Sequence, residues 1–244
     1  MTPIAEFESP RIARPGVRYP KFADKFALLD FERAPMPAIS LFPIPTPMSL
    51  RESSLTISGL DCAVEEWSWS DLDTLPRVVE RHPLICQIFN WVETVDWEGV
   101  RLVDVLDHTG IETHPDGHLA IYSRDGNYFE GLTMDEARDP RVLLATGLNG
   151  QPLPVEFGGP IRLVVPFLQG YMSVKWVGAI RAFRHDPIGI KRLLAQSKTP
   201  RLAPPWRERF GIAPPGSALV DVEPEQSAPA SAADVALASS RVGT

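Results

Sequence analysis

Two cations lie inside otherwise apolar runs in the second half of the chain. Arg162 interrupts residues 161–165 and Lys175 lies within residues 173–183, and both runs are predicted to be strands. A buried strand tolerates a cation only where something anionic pairs with it. Within the chain, Glu156 could pair with Arg162, and Lys175 could extend its ammonium group to solvent from a strand edge. We favour the interpretation that this segment holds an anionic cofactor.

Cys86 is a second candidate, because it lies inside the compact apolar run of residues 84–89. A cysteine in such a run is most often a small buried hydrophobe. A nucleophile or a metal ligand would need a thiolate stabilised by nearby positive charge or by a metal. The histidines of the chain show no spacing typical of a catalytic motif or a zinc site; they are His82, His108, His114, His118 and His185.

Composition limits the classes of protein that come into question. The chain has 244 residues, of which 44% are hydrophobic and 23% charged, which fits one large or two small globular domains. Its formal net charge of −7 weighs against nucleic acid as a partner. No stretch reaches the roughly 18 apolar residues of a membrane span. Cys62 and Cys86 are too few for a disulfide framework or a structural zinc site.

The first residues of the chain bear on its location. Residues 1–19 contain charges and prolines without an apolar core of the kind that a secretory signal has. Arg11 and Arg14 are separated by two residues, so they do not form a twin-arginine pair. We therefore expect a cytoplasmic protein.

Turn and cap signals indicate the elements that must position these residues. Asn149-Gly150 is typical of a tight hairpin turn, because both central residues of such a turn need a positive φ. Thr133 and Glu136 form a capping box at the start of a helix. A helical period covers residues 100–110, a short basic helix is predicted at 191–198, and further strands are predicted at 54–58, 84–89, 118–123 and 142–146.

These elements predict one α+β domain with mixed sheets and short helices. Three parts are expected: a proline-rich N-terminal arm at 1–50, the folded domain at 51–200, and a disordered tail at 214–244 that has no aromatic residue. No Gly-x-Gly-x-x-Gly and no phosphate-binding Gly-x-x-x-x-Gly-Lys-Ser loop is present, so dinucleotide and triphosphate binding are not indicated.

The order of the motifs resembles the molybdopterin-binding domain of the sulfite oxidase family. The likeness covers residues 55–183 and is greatest to the short, single-domain bacterial members and the MsrP-like catalytic subunits. Its second half is highly specific. It rests on Trp97-Glu98-Gly99-Val100, Tyr122-Ser123, Leu143-Leu144-Ala145-Thr146-Gly147-Leu148-Asn149-Gly150, Gly159-Pro160-Ile161-Arg162-Leu163 and Ser173-Val174-Lys175-Trp176-Val177.

The resemblance implies a fold, a cofactor and a set of site residues. It implies a sulfite oxidase-type fold that binds Mo-molybdopterin, with Cys86 as the thiolate ligand of the metal, a soft donor suited to a sulfur-rich redox centre. It implies that Arg162, Ser173, Val174 and Lys175 hold the pterin and its phosphate, because arginine and lysine suit that anion. By the same resemblance, Ser123 adds a contact to the cofactor.

Three departures from the family pattern affect the expected substrate pocket. Cys86 is followed by Gln87-Ile88-Phe89-Asn90, which displaces Trp91 by one position. Phe157-Gly158 stands where relatives carry a polar residue. Sulfite oxidases also place extra arginines near the metal, and only Arg124 is a candidate here, although a solvated turn residue is its simpler interpretation. Sulfite is therefore not the substrate that we expect.

The resemblance implies a molybdenum-dependent oxidoreductase that transfers an oxygen atom or two electrons on a small substrate, served by an electron-transfer partner. Tyr128 and Asn90 are candidate pocket residues, with surface or packing roles as the alternative. The alternative function is a non-catalytic carrier or interaction protein that binds molybdopterin without turnover.

Overall fold

A computed structural model describes residues 43–86 and 91–216. Most of the predicted arm and nearly all of the predicted tail lie outside these residues, as does Asn90. The described elements are β1 (Ser54–Ser58), β2 (Val64–Ser68), α1 (Trp69–Leu72), β3 (Arg77–Cys86), β4 (Trp91–Arg101), α2 (Leu102–His108), β5 (His118–Ser123), β6 (Phe129–Thr133), α3 (Met134–Ala137), β7 (Leu143–Leu148), β8 (Gln151–Pro152), β9 (Arg162–Val164), β10 (Val177–Phe183), α4 (Ile190–Leu193) and α5 (Pro204–Arg209).

The first of two five-stranded sheets has the order β2-β1-β10-β5-β6. Its pairs are antiparallel except β1 with β10, which run parallel. β5 occupies the residues predicted for it, His118–Ser123, and its apolar side chains are buried between β10 and β6, as an interior strand requires. Mixed sheets with short helices confirm the predicted α+β class.

The second sheet has the order β3-β4-β7-β8, and β9 pairs with β7. The predicted Asn149-Gly150 turn is confirmed: the two residues join β7 to β8 with φ angles of 51° and 75°. Leu84, near the end of the long β3–β4 hairpin, belongs to one buried cluster with Leu143 and Val164.

Helices cover the edges of the sheets and are shorter than the sequence suggests. α2 buries Leu102, Val105 and Leu106 and ends at His108, within the predicted range. Thr133 caps α3, and its hydroxyl accepts a hydrogen bond from the backbone N–H of Glu136, as the capping box predicts. The basic helix predicted at 191–198 is wrong in extent, because α4 ends at Leu193. Within the described part of the chain, no helix is long and apolar enough to cross a membrane.

Candidate functional site

A short 3-10 turn, Val155–Phe157, is the point at which the predicted cations meet. Its three carbonyl oxygens accept, in chain order, from Trp176 Nε1 at 2.7 Å, Lys175 Nζ at 2.7 Å and Arg162 Nη1 at 2.8 Å. Carbonyl oxygens at the end of a helical turn have no partner within the turn, so external donors satisfy them. The turn therefore fixes both cations side by side.

Arg162 is the more deeply buried of the two, with 3% of its surface exposed. Its guanidinium lies over the Trp97 ring, 5.3 Å from the centroid. Burial lowers the pKa of Arg162 to about 10, which leaves it charged at neutral pH. Among the described residues no carboxylate pairs with it, so the proposed ion pair with Glu156 is not formed.

Two buried donors at this place lack an acceptor within the described residues. They are Arg162 Nε and Trp97 Nε1, and Trp97 has no exposed surface. Buried N–H groups in native proteins are almost always hydrogen-bonded, so this neighbouring pair needs an acceptor that the described residues do not supply. A charged guanidinium, a buried indole N–H and the nearby Lys175 ammonium form a donor set suited to phosphate oxygens. The residues present therefore fit an anionic phosphate group.

The backbone beside the cations is tightly constrained. Gly158 has a φ of 104°, and a Cβ atom there would lie 2.9 Å from Lys175 Cγ. Trp176 has a φ of 54°, which is uncommon outside glycine and costs on the order of 1 kcal/mol. This conformation ends the loop and lets the Trp176 N–H donate to Gly158 O at 2.9 Å. The strand predicted at 173–183 therefore begins only at Val177, and the prediction was wrong for Ser173 to Trp176.

Ser173 and Val174 lie in the loop that follows the 3-10 turn Gly170–Met172. The Ser173 hydroxyl, which is buried, accepts from the backbone N–H of Val165 at 3.0 Å. The Val174 carbonyl accepts from Leu163 N at 2.9 Å, which joins this loop to β9. Both residues hold the loop against Arg162's strand, and their role in binding a cofactor stays a prediction.

Ser123 ends β5 beside the same loop and pairs with Val177. Its buried hydroxyl donates to Asp125 Oδ1 at 2.5 Å and accepts from Tyr128 N at 3.1 Å. The hydroxyl is thus engaged within its own turn, and its predicted contact to a cofactor remains a prediction.

Arg124 is a turn residue, as predicted, but its side chain is only partly solvated. The side chain is half-buried, its Nη2 donates to Thr46 O, and its Nη1 is buried without a partner in the described ranges. Its backbone N–H donates to Trp176 O at 2.7 Å. Arg124 is therefore a third cation beside the loop that carries Lys175 and Trp176.

Tyr128 is inside the molecule rather than at the surface. Its hydroxyl lies 2.9 Å from Glu130 Oε1 and 3.1 Å from Tyr171 O. Burial raises the pKa of Glu130 to about 7, and burial together with Glu130 raises the pKa of Tyr128. Sequence reasoning missed Glu130, because a glutamate in a strand is usually exposed. It also missed Trp97 as a donor; only the alternation of Val95 and Trp97 with charged residues hinted at burial.

Cys86 is the last residue of β3 and pairs with Trp91; the structure describes its backbone but not its side chain. A Cβ atom on Gly170 would lie 2.6 Å from the carbonyl oxygen of Ile85, so only glycine allows this approach. Gly170 and Lys175 are the two ends of one short segment. That segment connects the strand bearing Cys86 to the cation pair.

Comparison with known proteins is consistent with this geometry. The family model described as an oxidoreductase molybdopterin binding domain matches residues 42–190. The protein-methionine-sulfoxide reductase catalytic subunit MsrP of Gluconobacter oxydans is 29% identical over 158 residues, which are 59% of this chain and 49% of the relative. Human mitochondrial sulfite oxidase is 37% identical over 97 residues, 36% of this chain and 18% of the relative.

The sulfane dehydrogenase SoxCD of Paracoccus pantotrophus shares the fold. It superposes with a TM-score of 0.51 and 25% sequence identity, over 59% of this chain and 41% of that one. The chain thus spans about half the length, or less, of the known proteins that it matches.

Proposed function

The chain belongs to the family of oxidoreductase molybdopterin-binding domains, and on that premise we propose that it is a molybdenum-cofactor-dependent oxidoreductase. The proposed reaction transfers an oxygen atom or two electrons on a small substrate at a mononuclear centre. Family membership confirms the resemblance found in the sequence and the expected Mo-molybdopterin cofactor. The observation that carries the proposal is the buried pair of donors, Arg162 Nε and Trp97 Nε1.

Each residue has a proposed task toward the cofactor. Arg162 and Lys175 would bind its phosphate, because their charges are already held side by side at the Val155–Phe157 turn. Ser173 and Val174 would position that pair, and Cys86 would ligate the metal through its thiolate. Bound there, the cofactor would supply the two-electron redox chemistry and the oxygen-atom exchange that side chains lack.

We propose a sulfoxide as the substrate class. The supporting observation is that MsrP from Gluconobacter oxydans aligns with 59% of this chain, whereas human sulfite oxidase aligns with 36%. Reduction of a sulfoxide breaks the S=O bond, consumes two electrons and two protons, and releases a thioether and water. The relative's name calls it a catalytic subunit, so the electrons are proposed to come from a separate redox partner.

Cofactor content is the first test. Full-length protein from a host that makes molybdopterin should carry about one molybdenum and one pterin per chain, measured by elemental analysis and by pterin fluorescence after oxidation. Cys86→Ala should lose the thiolate-to-metal absorption. Protein without molybdenum and pterin from such a host would overturn the proposal.

Turnover is the second test. Chemically reduced, cofactor-loaded protein should be reoxidised by methionine sulfoxide, free or in peptides, whereas the oxidised, cofactor-loaded protein should be reduced by sulfite more slowly. No reaction with sulfoxides, N-oxides or sulfite would instead support the non-catalytic carrier, which neither the fold nor the relatives favour. The cytoplasmic location stays a prediction, which cell fractionation checks.

A further inference from the structure

The chain continues across the molecule from α4 onward, beyond the family match. We call residues 190–216 the C-terminal strap. Its first contact is at β6, where the backbone N–H of Lys191 donates to the buried Glu130 Oε1 at 2.9 Å. A family model that ends at residue 190 does not account for this segment.

The strap next runs along the loop that leads to the cation pair. The backbone N–H of Gln169 donates to Pro200 O at 2.8 Å, and its side-chain amide donates to Thr199 O at 2.8 Å. The Tyr171 hydroxyl lies 3.2 Å from the same Thr199 carbonyl. The strap therefore lies against both sides of Gly170.

Trp206, in α5, is where the strap meets the second sheet. Only 1% of its surface is exposed, and it belongs to a buried cluster with Ile85, Val92 and Leu202. Ile85 and Val92 are cross-strand partners in the β3–β4 hairpin. The next cross-strand pair of that hairpin is Cys86 with Trp91.

The hairpin is held from two sides at this position. Gly170 approaches the Ile85 carbonyl, and Trp206 shares a buried cluster with the Ile85 side chain. The far end of the strap is fixed as well, because Arg141 donates to the carbonyls of Ala213 and Pro214, each at 2.9 Å. A strap fixed at both ends can hold the hairpin in place.

We propose that Trp206 is a positioning residue, which fixes the last described backbone pair of the β3–β4 hairpin and thereby the backbone position of Cys86. The inference depends on the proposed function of Cys86 as the metal ligand. Trp206 acts through Ile85 and Val92 and takes no part in the chemistry. Without the indole, the hairpin end opens more often, and the thiolate is offered to the metal in more than one position.

The test measures Cys86 directly in cofactor-free protein, so it does not depend on the molybdenum reaction. Cys62, which is exposed, is first replaced by serine to leave Cys86 as the sole thiol. Alkylation of Cys86 by iodoacetamide is then followed under native conditions. Trp206→Ala should raise the rate about tenfold, which corresponds to about 1.4 kcal/mol of lost protection against local opening.

Three controls separate positioning from general destabilisation. Trp206→Phe keeps an aromatic ring in the cluster and should restore most of the protection. Glu208→Ala, at an exposed position on the same helix, should leave the rate unchanged. Leu119→Ala removes a fully buried side chain in the first sheet and should destabilise the fold without the same increase in alkylation.

Two outcomes would overturn the proposal: an unchanged rate in Trp206→Ala, or an equal increase in Leu119→Ala. In cofactor-loaded protein, Trp206→Ala should also broaden the Mo(V) electron paramagnetic resonance signal, since the thiolate would adopt more than one geometry. Failure of the proposed function would instead appear as missing cofactor, with the alkylation results intact.

Discussion

Two buried arginines in this molecule have opposite surroundings. Arg141 meets Asp139 through two hydrogen bonds, Nε to Oδ1 at 2.8 Å and Nη2 to Oδ2 at 2.6 Å, and adds two backbone carbonyls. Arg162 is buried to a similar degree but has one carbonyl partner and an Nε without an acceptor among the residues described. Each guanidinium also lies over an aromatic ring, at 4.7 Å from Phe167 and 5.3 Å from Trp97.

The difference in hydrogen bonding between the two guanidinium groups indicates a different role for each arginine. Burial of a cation costs several kcal/mol, and the cost is recovered only when partners satisfy its donors. The chain itself supplies those partners to Arg141, which makes that region a structural anchor for the strap. It leaves the donors of Arg162 incomplete, which is the arrangement expected where a ligand completes the site.

The anchor should give the largest effect on stability. Arg141→Met leaves the Asp139 carboxylate buried without its partner and should lower the free energy of unfolding by about 3–5 kcal/mol. Urea unfolding followed by circular dichroism measures this. The double variant with Asp139→Leu should recover most of the loss, because it removes the uncompensated charge. A loss below about 1 kcal/mol in the single variant would contradict the anchor role.

Glu130 is intermediate between the fully paired Arg141 and the incompletely paired Arg162. Its Oε1 accepts from two donors, while its Oε2 is buried without a donor among the described residues. Burial raises its pKa from 4.5 to about 7 in the folded protein. Its contribution to stability is therefore complete below about pH 4.5 and is lost as the pH rises through 7. The loss is about 3 kcal/mol.

The unfolding free energy of the wild type minus that of Glu130→Gln, measured between pH 4.5 and 8, isolates this group. The difference should fall as the pH rises. Asp139 gives the opposite sign: burial raises its pKa, but the stronger combined effect of the Arg141 hydrogen bonds holds that pKa below its ordinary value, so its contribution is lost on acidification. A pH-independent difference for Glu130→Gln would show that the carboxyl titrates normally.

Cofactor affinity should distinguish the two arginines next. Arg162→Met should weaken molybdopterin binding about ten- to a hundredfold, because charge-assisted hydrogen bonds to the phosphate are lost. Reconstitution of cofactor-free protein, with retained molybdenum measured after gel filtration, gives the apparent affinity. The comparison variant Arg141→Met should lose less cofactor affinity than Arg162→Met at temperatures where it remains folded, because Arg141 acts on the site only through the strap. Equal losses in both variants would remove the distinction between anchor and site.

Local chemistry made part of this structure predictable from the sequence. The Asn149-Gly150 turn and the Thr133 capping box are specified by a few neighbouring residues, and both were predicted correctly. The cations Arg162 and Lys175 could also be identified, because a charge inside an apolar run has few explanations. Their common partner, the Val155–Phe157 turn, could not be identified from the sequence, because a short 3-10 turn has no distinctive residue pattern.

Long-range contacts account for the features that were missed. Glu130 is buried because Lys191, far along the chain, supplies a donor to it. Trp176 adopts a positive φ that its residue type disfavours, so no propensity could place the break before β10. No helix was predicted for α5, which begins with two prolines, although proline is well tolerated in the first turn of a helix. For Glu130 and Trp176, tertiary contacts override the local preference.

The smallest expected effect is on the stability of the cofactor-free protein, and it distinguishes the surroundings of Arg162 from those of Arg141. In cofactor-free protein, Arg162→Met removes a buried cation that has no anionic partner among the described residues, so it should change the unfolding free energy by less than about 1 kcal/mol or even raise it. Chemical denaturation of the cofactor-free forms measures this, with Arg141→Met as the comparison. With cofactor bound, the same Arg162→Met protein should be less stable than the loaded wild type, because the stabilisation by a ligand grows with the logarithm of its affinity. If Arg162→Met lowers the free energy of unfolding of the cofactor-free protein by several kcal/mol, then Arg162, like Arg141, stabilises the fold itself, and the distinction between the two arginines is wrong.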